Sequence, residues 1–194
     1  MVWHNDQVSE LETSKLLSLA ERCLGVEGDF VELGCYKGDT SLMLADLLAR
    51  EHSNKKLWLY DSFEGLPEKT EEDTSAAGQE FKKGELYVTK REVKARFLRA
   101  NLPVPIIKKA WFGELSSIDM PAKVAFAFVD GDLYESIRDS LRLLEGKIAK
   151  YGVVVVHDYS NPALPGVAKA VDEWTSRMGV GVTLYQSMVI IEMN

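Results

Sequence analysis

The sequence predicts an α/β protein, with a doubly wound, mainly parallel sheet and helices on both faces. Three observations carry this. Short apolar runs alternate with stretches of helical period along the chain. Several of the runs stop on a carboxylate or a glycine just before a helix begins, as Val124–Val129 stops on Asp130-Gly131-Asp132. The last two apolar runs, Gly181–Tyr185 and Met188–Glu192, are separated only by a tight turn, so they form an antiparallel hairpin at one edge.

The elements follow in order. Ser9-Glu10-Leu11-Glu12 has capping-box spacing, and Leu16, Leu17, Ala20 and Leu24 continue as a helical stripe, giving an N-terminal helical segment over 1–27. Asp29–Leu33 reads as the first strand and runs into a glycine-containing turn. A helix through Arg50 follows, with Leu44, Leu47 and Leu48 inward, and Lys56–Tyr60 is a second strand ending on Asp61. From Ser62 to about residue 88 the period fails, and charged residues give way to Ser75-Ala76-Ala77-Gly78. A stretch this long without a period reads as a lid-like loop over 62–88. Thr89-Lys90-Arg91-Glu92 is a second capping box, opening a helix that carries Val93 and Phe97, and Val104–Lys109 is a third strand.

The stretch Phe126–Asp139 organises the rest. Its apolar run suits a strand buried on both faces. The helix after it places Ile137, Leu141, Leu144 and Ile148 at spacings of 4, 3 and 4. Asp130 and Asp132, two apart on extended chain, share a side where a buried strand stops. Asp132 alone also fits a helix N-cap. Gly152–Val156 is the fifth strand, ending on His157-Asp158. Val167, Val171, Trp174 and Met178 then mark the last helix.

Bulk properties exclude several classes. A chain of 194 residues suits one domain with a sizeable core. The net charge of −7, without a basic run, argues against nucleic acid or an anionic membrane as partner. Cys23 and Cys35 are too few for a disulfide scaffold and fit a reducing cytoplasm. Val153–Val156 is the longest aliphatic run, far too short to span a bilayer.

The chemistry sits in three constellations. Glu32-x-Gly34-x-x-x-Gly38 lies between strand and helix, where glycines let backbone approach a ligand and a helix N-terminus presents free N–H groups. It lacks the third glycine of a dinucleotide fingerprint, so no reach to a pyrophosphate is signalled. Asp61, ending the next strand, is placed to accept hydrogen bonds from ribose hydroxyls. Together these favour a nucleoside-type cofactor without a diphosphate. The other two constellations are Asp130-Gly131-Asp132 and His157-Asp158.

VELGCYKGDTS, YDSFEGLP, FVDGDLYESIRDSL and HDYSNPALPGVAKAVDEW, from about Gly28 to Trp174, resemble the macrocin O-methyltransferase family. These are class I S-adenosylmethionine-dependent enzymes that methylate sugar hydroxyls on natural products. The segment VELGCYKGDTS is also similar to the corresponding stretch of catechol O-methyltransferase, a magnesium enzyme of the same fold. The resemblance implies a Rossmann-like seven-stranded sheet of order 3-2-1-4-5-7-6, the last strand antiparallel. It implies that Glu32, Gly34, Tyr36, Gly38 and Thr40 surround the methionine part of the cofactor. Asp61 would hold the ribose, with Ser62 and Trp111 near the adenosine. Asp130 would border the cofactor and bind a divalent metal with His157 and Asp158, and Asp132 would be the general base. The implied partner is a small hydroxylated acceptor, a sugar or other natural product; self-association is left open.

Two departures bear on this. Relatives carry two adjacent acids where this chain has His157-Asp158, and magnesium prefers all-oxygen coordination. His157 is therefore a ligand for a softer ion, a base, or a packed hydrogen-bonding residue. Longer members also carry an N-terminal extension over the substrate, whereas about 28 residues precede the first strand here, so an acceptor pocket that is more open or differently built is expected. Methyl transfer to a hydroxyl needs removal of its proton during attack, which a metal and a carboxylate together supply. A metal-independent enzyme using Asp132 or His157 as base, and a non-catalytic cofactor-binding module, are the competing readings.

Overall fold

The structure, a computed structural model, describes residues 5–77 and 81–193. Seven strands form one sheet: β1 (Asp29–Leu33), β2 (Leu57–Asp61), β3 (Ile106–Lys109), β4 (Val124–Val129), β5 (Ile148–Val156), β6 (Thr183–Tyr185) and β7 (Met188–Glu192). Their order is β3-β2-β1-β4-β5-β7-β6. β1 to β5 are mutually parallel, and β7 runs antiparallel to both β5 and β6. Fold class, order and the antiparallel strand are as expected from the sequence.

Among the described residues, five α-helices cover the faces: α1 (Glu10–Arg22), α2 (Asp39–Arg50), α3 (Lys90–Arg99), α4 (Tyr134–Leu144) and α5 (Pro165–Met178). Side chains alternate across each strand, so one core lies on each side of the sheet. Phe30, Phe126 and Phe128 pack with Leu16 of α1, Leu44 of α2 and Phe97 of α3. Val31, Leu33, Ala127 and Val129 pack with Leu141 of α4 and Val171 of α5. All six residues of β4 are buried, which explains its unbroken apolar run. Each fully buried Phe or Leu contributes roughly 1.5–3 kcal/mol relative to exposure.

Two local expectations are corrected. Ile148 is not on the helical stripe. α4 ends at Leu144, Gly146 adopts φ +69°, and Ile148 opens β5 opposite Val124. Asp132 does not follow extended chain: its φ is +60°, and Leu133 rather than Asp132 is the N-cap residue of α4.

The cap comes from a distance. Asp73 is buried, and its Oδ1 accepts the Tyr134 N–H at 2.7 Å while Oδ2 accepts the Thr70 N–H at 3.0 Å. The aperiodic stretch after β2 is thus pinned to the start of α4. Its neck is closed by Leu66 N–H to Glu85 O at 2.8 Å and Gly84 N–H to Leu66 O at 2.9 Å. Gly78, which the sequence reading assigns to the lid-like loop, lies outside the described residues.

Candidate active site

In an order 3-2-1-4-5 sheet, β1, β4 and β5 lie side by side, so whatever follows each of them meets at one edge. Gly34 follows β1. At φ +89°, a Cβ there would lie 2.0 Å from the Asp130 carbonyl oxygen, so only glycine fits between the two strand ends. The Asp130 N–H in turn donates to Leu33 O at 2.8 Å. The turn then passes through Tyr36 at φ +42° and Gly38 at φ +81° into α2.

Asp61 holds this turn. Its Oδ2 accepts the Cys35 N–H at 2.9 Å and the Tyr36 N–H at 3.1 Å, and its Oδ1 accepts the Phe63 N–H at 2.7 Å. Glu32 is buried, with the Ser41 hydroxyl donating to it. Burial pushes its pKa well above the usual carboxylate value despite that bond.

After β4, Asp130 and Asp132 face the ends of β5. The His157 Nδ1 lies 3.0 Å from Asp130 Oδ1 and 3.1 Å from Asp158 Oδ2. Asp158, at φ +58°, also accepts from Asn161 Nδ2 at 2.9 Å. Burial alone would lower the His157 pKa, but the Asp130 and Asp158 carboxylates raise it to about 11. Asp132 is raised well above its ordinary value by burial and by the charges of Asp130 and Asp158.

Glu32, Gly34, Tyr36, Thr40, Asp61, Ser62, Trp111, Asp130, Asp132, His157 and Asp158 all line one cleft. Of the residues singled out in the sequence, Gly38 alone stands behind its wall, as the N-cap of α2. Thr40 and Ser62 already have partners: Thr40 Oγ1 accepts from Asn5 Nδ2 at 2.8 Å, and Ser62 Oγ donates to Gly65 O at 3.2 Å.

Comparison with known proteins bears on what this cleft is. Residues 15–187 match the model of the macrocin-O-methyltransferase (TylF) family. The chain belongs to the macrocin O-methyltransferase family. It is 33% identical over 163 residues to the 8-demethyl-8-(2,3-dimethoxy-alpha-L-rhamnosyl)-tetracenomycin-C 4'-O-methyltransferase of Streptomyces olivaceus, covering 80% of this chain and 61% of that protein. It is 30% identical over 162 residues to the demethyldecarbamoylnovobiocin O-methyltransferase of Streptomyces niveus, again covering 80% and 61%. This chain thus spans about three-fifths of the length of the curated relatives it matches. Among solved structures it resembles the O-methyltransferase NovP, with a TM-score of 0.77 and 27% identity over 92% of this chain and 79% of that one.

The macrocin-type resemblance brings a divalent ion into question. Asp130, His157 and Asp158 offer one ligand atom each, and these lie within 4.8 Å of one another. Two carboxylate oxygens and one imidazole nitrogen would fit a divalent ion once the His157 Nδ1 gives up the proton that Asp130 and Asp158 stabilise on it, and a transition-type ion such as manganese better than magnesium.

Four residues that line the cleft or brace the elements around it escaped the sequence reading. Glu12 was seen only as a capping-box residue of α1. Its Oε1 also accepts the Ser187 N–H at 2.9 Å, and its Oε2 lies 3.9 Å from His157 Nε2. Burial would raise its pKa, but hydrogen bonds from Ser187 and Ser9 bring it below the ordinary value. Asn161 had a usable signal, since an Asn three residues past a strand-end Asp is well placed for a local side-chain bond. Asp73 and Asn5 had none, because their partners, Tyr134 and Thr40, lie 61 and 35 residues away.

Proposed function

We propose that this chain is an S-adenosylmethionine-dependent O-methyltransferase acting on a hydroxyl of a sugar or other small natural product, assisted by a divalent ion. One observation carries this reading. A glycine turn braced by Asp61 and a cluster of Asp130, Asp132, His157 and Asp158 open onto the same cleft. Family membership and relatives named for O-methylation of natural products support it.

The turn from Gly34 to Thr40 would hold the methionine part of the cofactor, with its backbone N–H groups and the α2 N-terminus toward the carboxylate. Asp61 Oδ1 would take a ribose hydroxyl through its remaining lone pair, while Oδ2 keeps the turn in place. Trp111 and Ser62 border the same end. Asp130, the His157 Nδ1 and Asp158 would hold the ion, which when bound lowers the pKa of an acceptor hydroxyl. Asn161 keeps Asp158 aimed at that point.

Asp132 is the general base of this proposal. Its carboxylate opens onto the cleft beside Asp130 and Asp158, where it is placed to take the proton that an alcohol must lose as it attacks. The bound cofactor would supply a sulfonium methyl to the acceptor oxygen, with a thioether as leaving group, and Asp132 would take the hydroxyl proton released by the attack. Holding both reactants in one cleft supplies much of the remaining acceleration.

The test is a titration with S-adenosylhomocysteine, followed by methyl transfer to a panel of rhamnosides with manganese, magnesium or chelator. Binding, with turnover that chelator abolishes and manganese restores better than magnesium, is expected. Chelator-resistant turnover would remove the ion and leave Asp132 or His157 as a metal-free base. Binding without turnover on any hydroxylated acceptor would favour a non-catalytic module, and absence of binding would end the proposal.

A further inference from the structure

The cofactor turn is held from two sides, and only one of them, Asp61, belongs to the motifs described so far. The other is Arg96, on the second turn of α3. Its Nη1 donates to the Lys37 carbonyl oxygen at 2.7 Å and its Nη2 to Asp39 Oδ1 at 2.5 Å. Lys37 and Asp39 both line the cleft. Three residues earlier on the same helix, Val93 is buried, and its Cγ1 would be 3.3 Å from a Cβ on Gly38. One face of α3 therefore clamps Lys37, Gly38 and Asp39 at the entrance to α2.

This turn needs external support. It combines φ of +89° at Gly34, +42° at Tyr36 and +81° at Gly38. Tyr36 is not a glycine, so its conformation costs free energy that surrounding contacts must offset. Its own short-range closure is one backbone bond, Gly38 N–H to Cys35 O, at 2.6 Å. Asp61 braces the Cys35–Tyr36 half, and Arg96 is placed to brace the Lys37–Asp39 half. A guanidinium suits the task because its planar fork reaches a carbonyl and a carboxylate at once. The pair is also shielded: the Arg96 side chain is 30% exposed and that of Asp39 10%.

We propose that Arg96 is a positioning residue for the cofactor, holding the Lys37–Asp39 half of the turn in its binding conformation without touching the cofactor itself. α3 follows directly on the loop over 62–88, so the same contact ties the cofactor turn to the far end of that loop. The inference rests on the reading of this cleft as the S-adenosylmethionine site.

The experiment compares the full chain with Arg96→Ala, Arg96→Lys and the exposed control Lys94→Ala. It uses calorimetric titration with S-adenosylhomocysteine, apo thermal melts and amide hydrogen exchange. Loss of two charge-assisted bonds is expected to weaken affinity about tenfold or more in Arg96→Ala, with a smaller loss of about threefold in Arg96→Lys. Exchange should quicken at Gly38 and Asp39 but not in β4, and Lys94→Ala should match wild type. Affinity of Arg96→Ala within about twofold of wild type would overturn the proposal. So would equal loss in both Arg96 variants together with faster exchange in β4, since that is general destabilisation. A wild type that binds no S-adenosylhomocysteine would overturn the cofactor reading and this proposal with it. Binding by wild type that Arg96→Ala leaves intact would overturn this proposal alone.

Discussion

Two carboxylate corners share the C-terminal edge of one sheet, and they are wired in opposite ways. At the end of β2, Asp61 accepts three backbone N–H bonds, from Cys35, Tyr36 and Phe63. At the ends of β4 and β5, Asp130 and Asp158 converge instead on one imidazole, and Asp132 stands beside them. Backbone N–H groups satisfy the first corner, so its carboxylate acts as scaffold with little left over. The second corner holds more negative charge than the chain itself neutralises, which is what a cation or a proton acceptor requires. Position along a strand end therefore does not decide a carboxylate's task; its donors do.

Breaking the joint between the corners should have the largest effect. Gly34→Val would put a branched side chain 2.0 Å from the Asp130 carbonyl at a left-handed φ. Because that contact ties β1 to β4, a loss of more than about 3 kcal/mol in a denaturant melt is expected, along with loss of cofactor binding. A variant that melts like wild type would contradict the packing. Next comes Asp61→Asn. An amide cannot accept at both oxygens, so at least one buried N–H loses its partner, at a cost of about 1–3 kcal/mol. S-adenosylhomocysteine affinity should fall about 10- to 100-fold in calorimetry.

A smaller effect separates Glu32 from both corners. Its folded pKa lies well above the ordinary 4.5, so the native state binds a proton that the unfolded chain has released. The sign is the reverse of a paired carboxylate's. Stability should be highest near and below 4.5 and decline as pH rises toward the raised value. Glu32→Gln keeps an acceptor for Ser41 and removes the titration. Its melting temperature should gain on wild type as pH rises above the ordinary 4.5, and parallel curves would refute the shift.

Sequence and structure agree where chemistry and periodicity are local. β1, β4 and β7 fall on the residues expected, because apolar runs bounded by turn residues leave little choice. The strand order implied by the family resemblance brings the ends of β1, β4 and β5 to one edge, and Glu32, Asp130, Asp132, His157 and Asp158 do line one cleft there. What was not legible is cooperative over distance. Ile148 fits a helical period until Gly146 ends α4 two residues before it. The charged run holding Asp73 reads as part of an aperiodic, lid-like loop, yet that carboxylate caps a helix 61 residues on. Glu12 looks sufficient as a local cap, and only the packing of α1 against the β6–β7 turn brings it to Ser187.

The division of labour between the corners is tested most directly by one titration: S-adenosylhomocysteine into Asp158→Asn, in parallel with Asp61→Asn. Asn161 and His157, not the cofactor turn, are the partners of Asp158. Affinity of Asp158→Asn should therefore stay within about twofold of wild type, while Asp61→Asn loses about tenfold or more. A loss in Asp158→Asn as large as that in Asp61→Asn would contradict the separation of a cofactor corner from an acid corner.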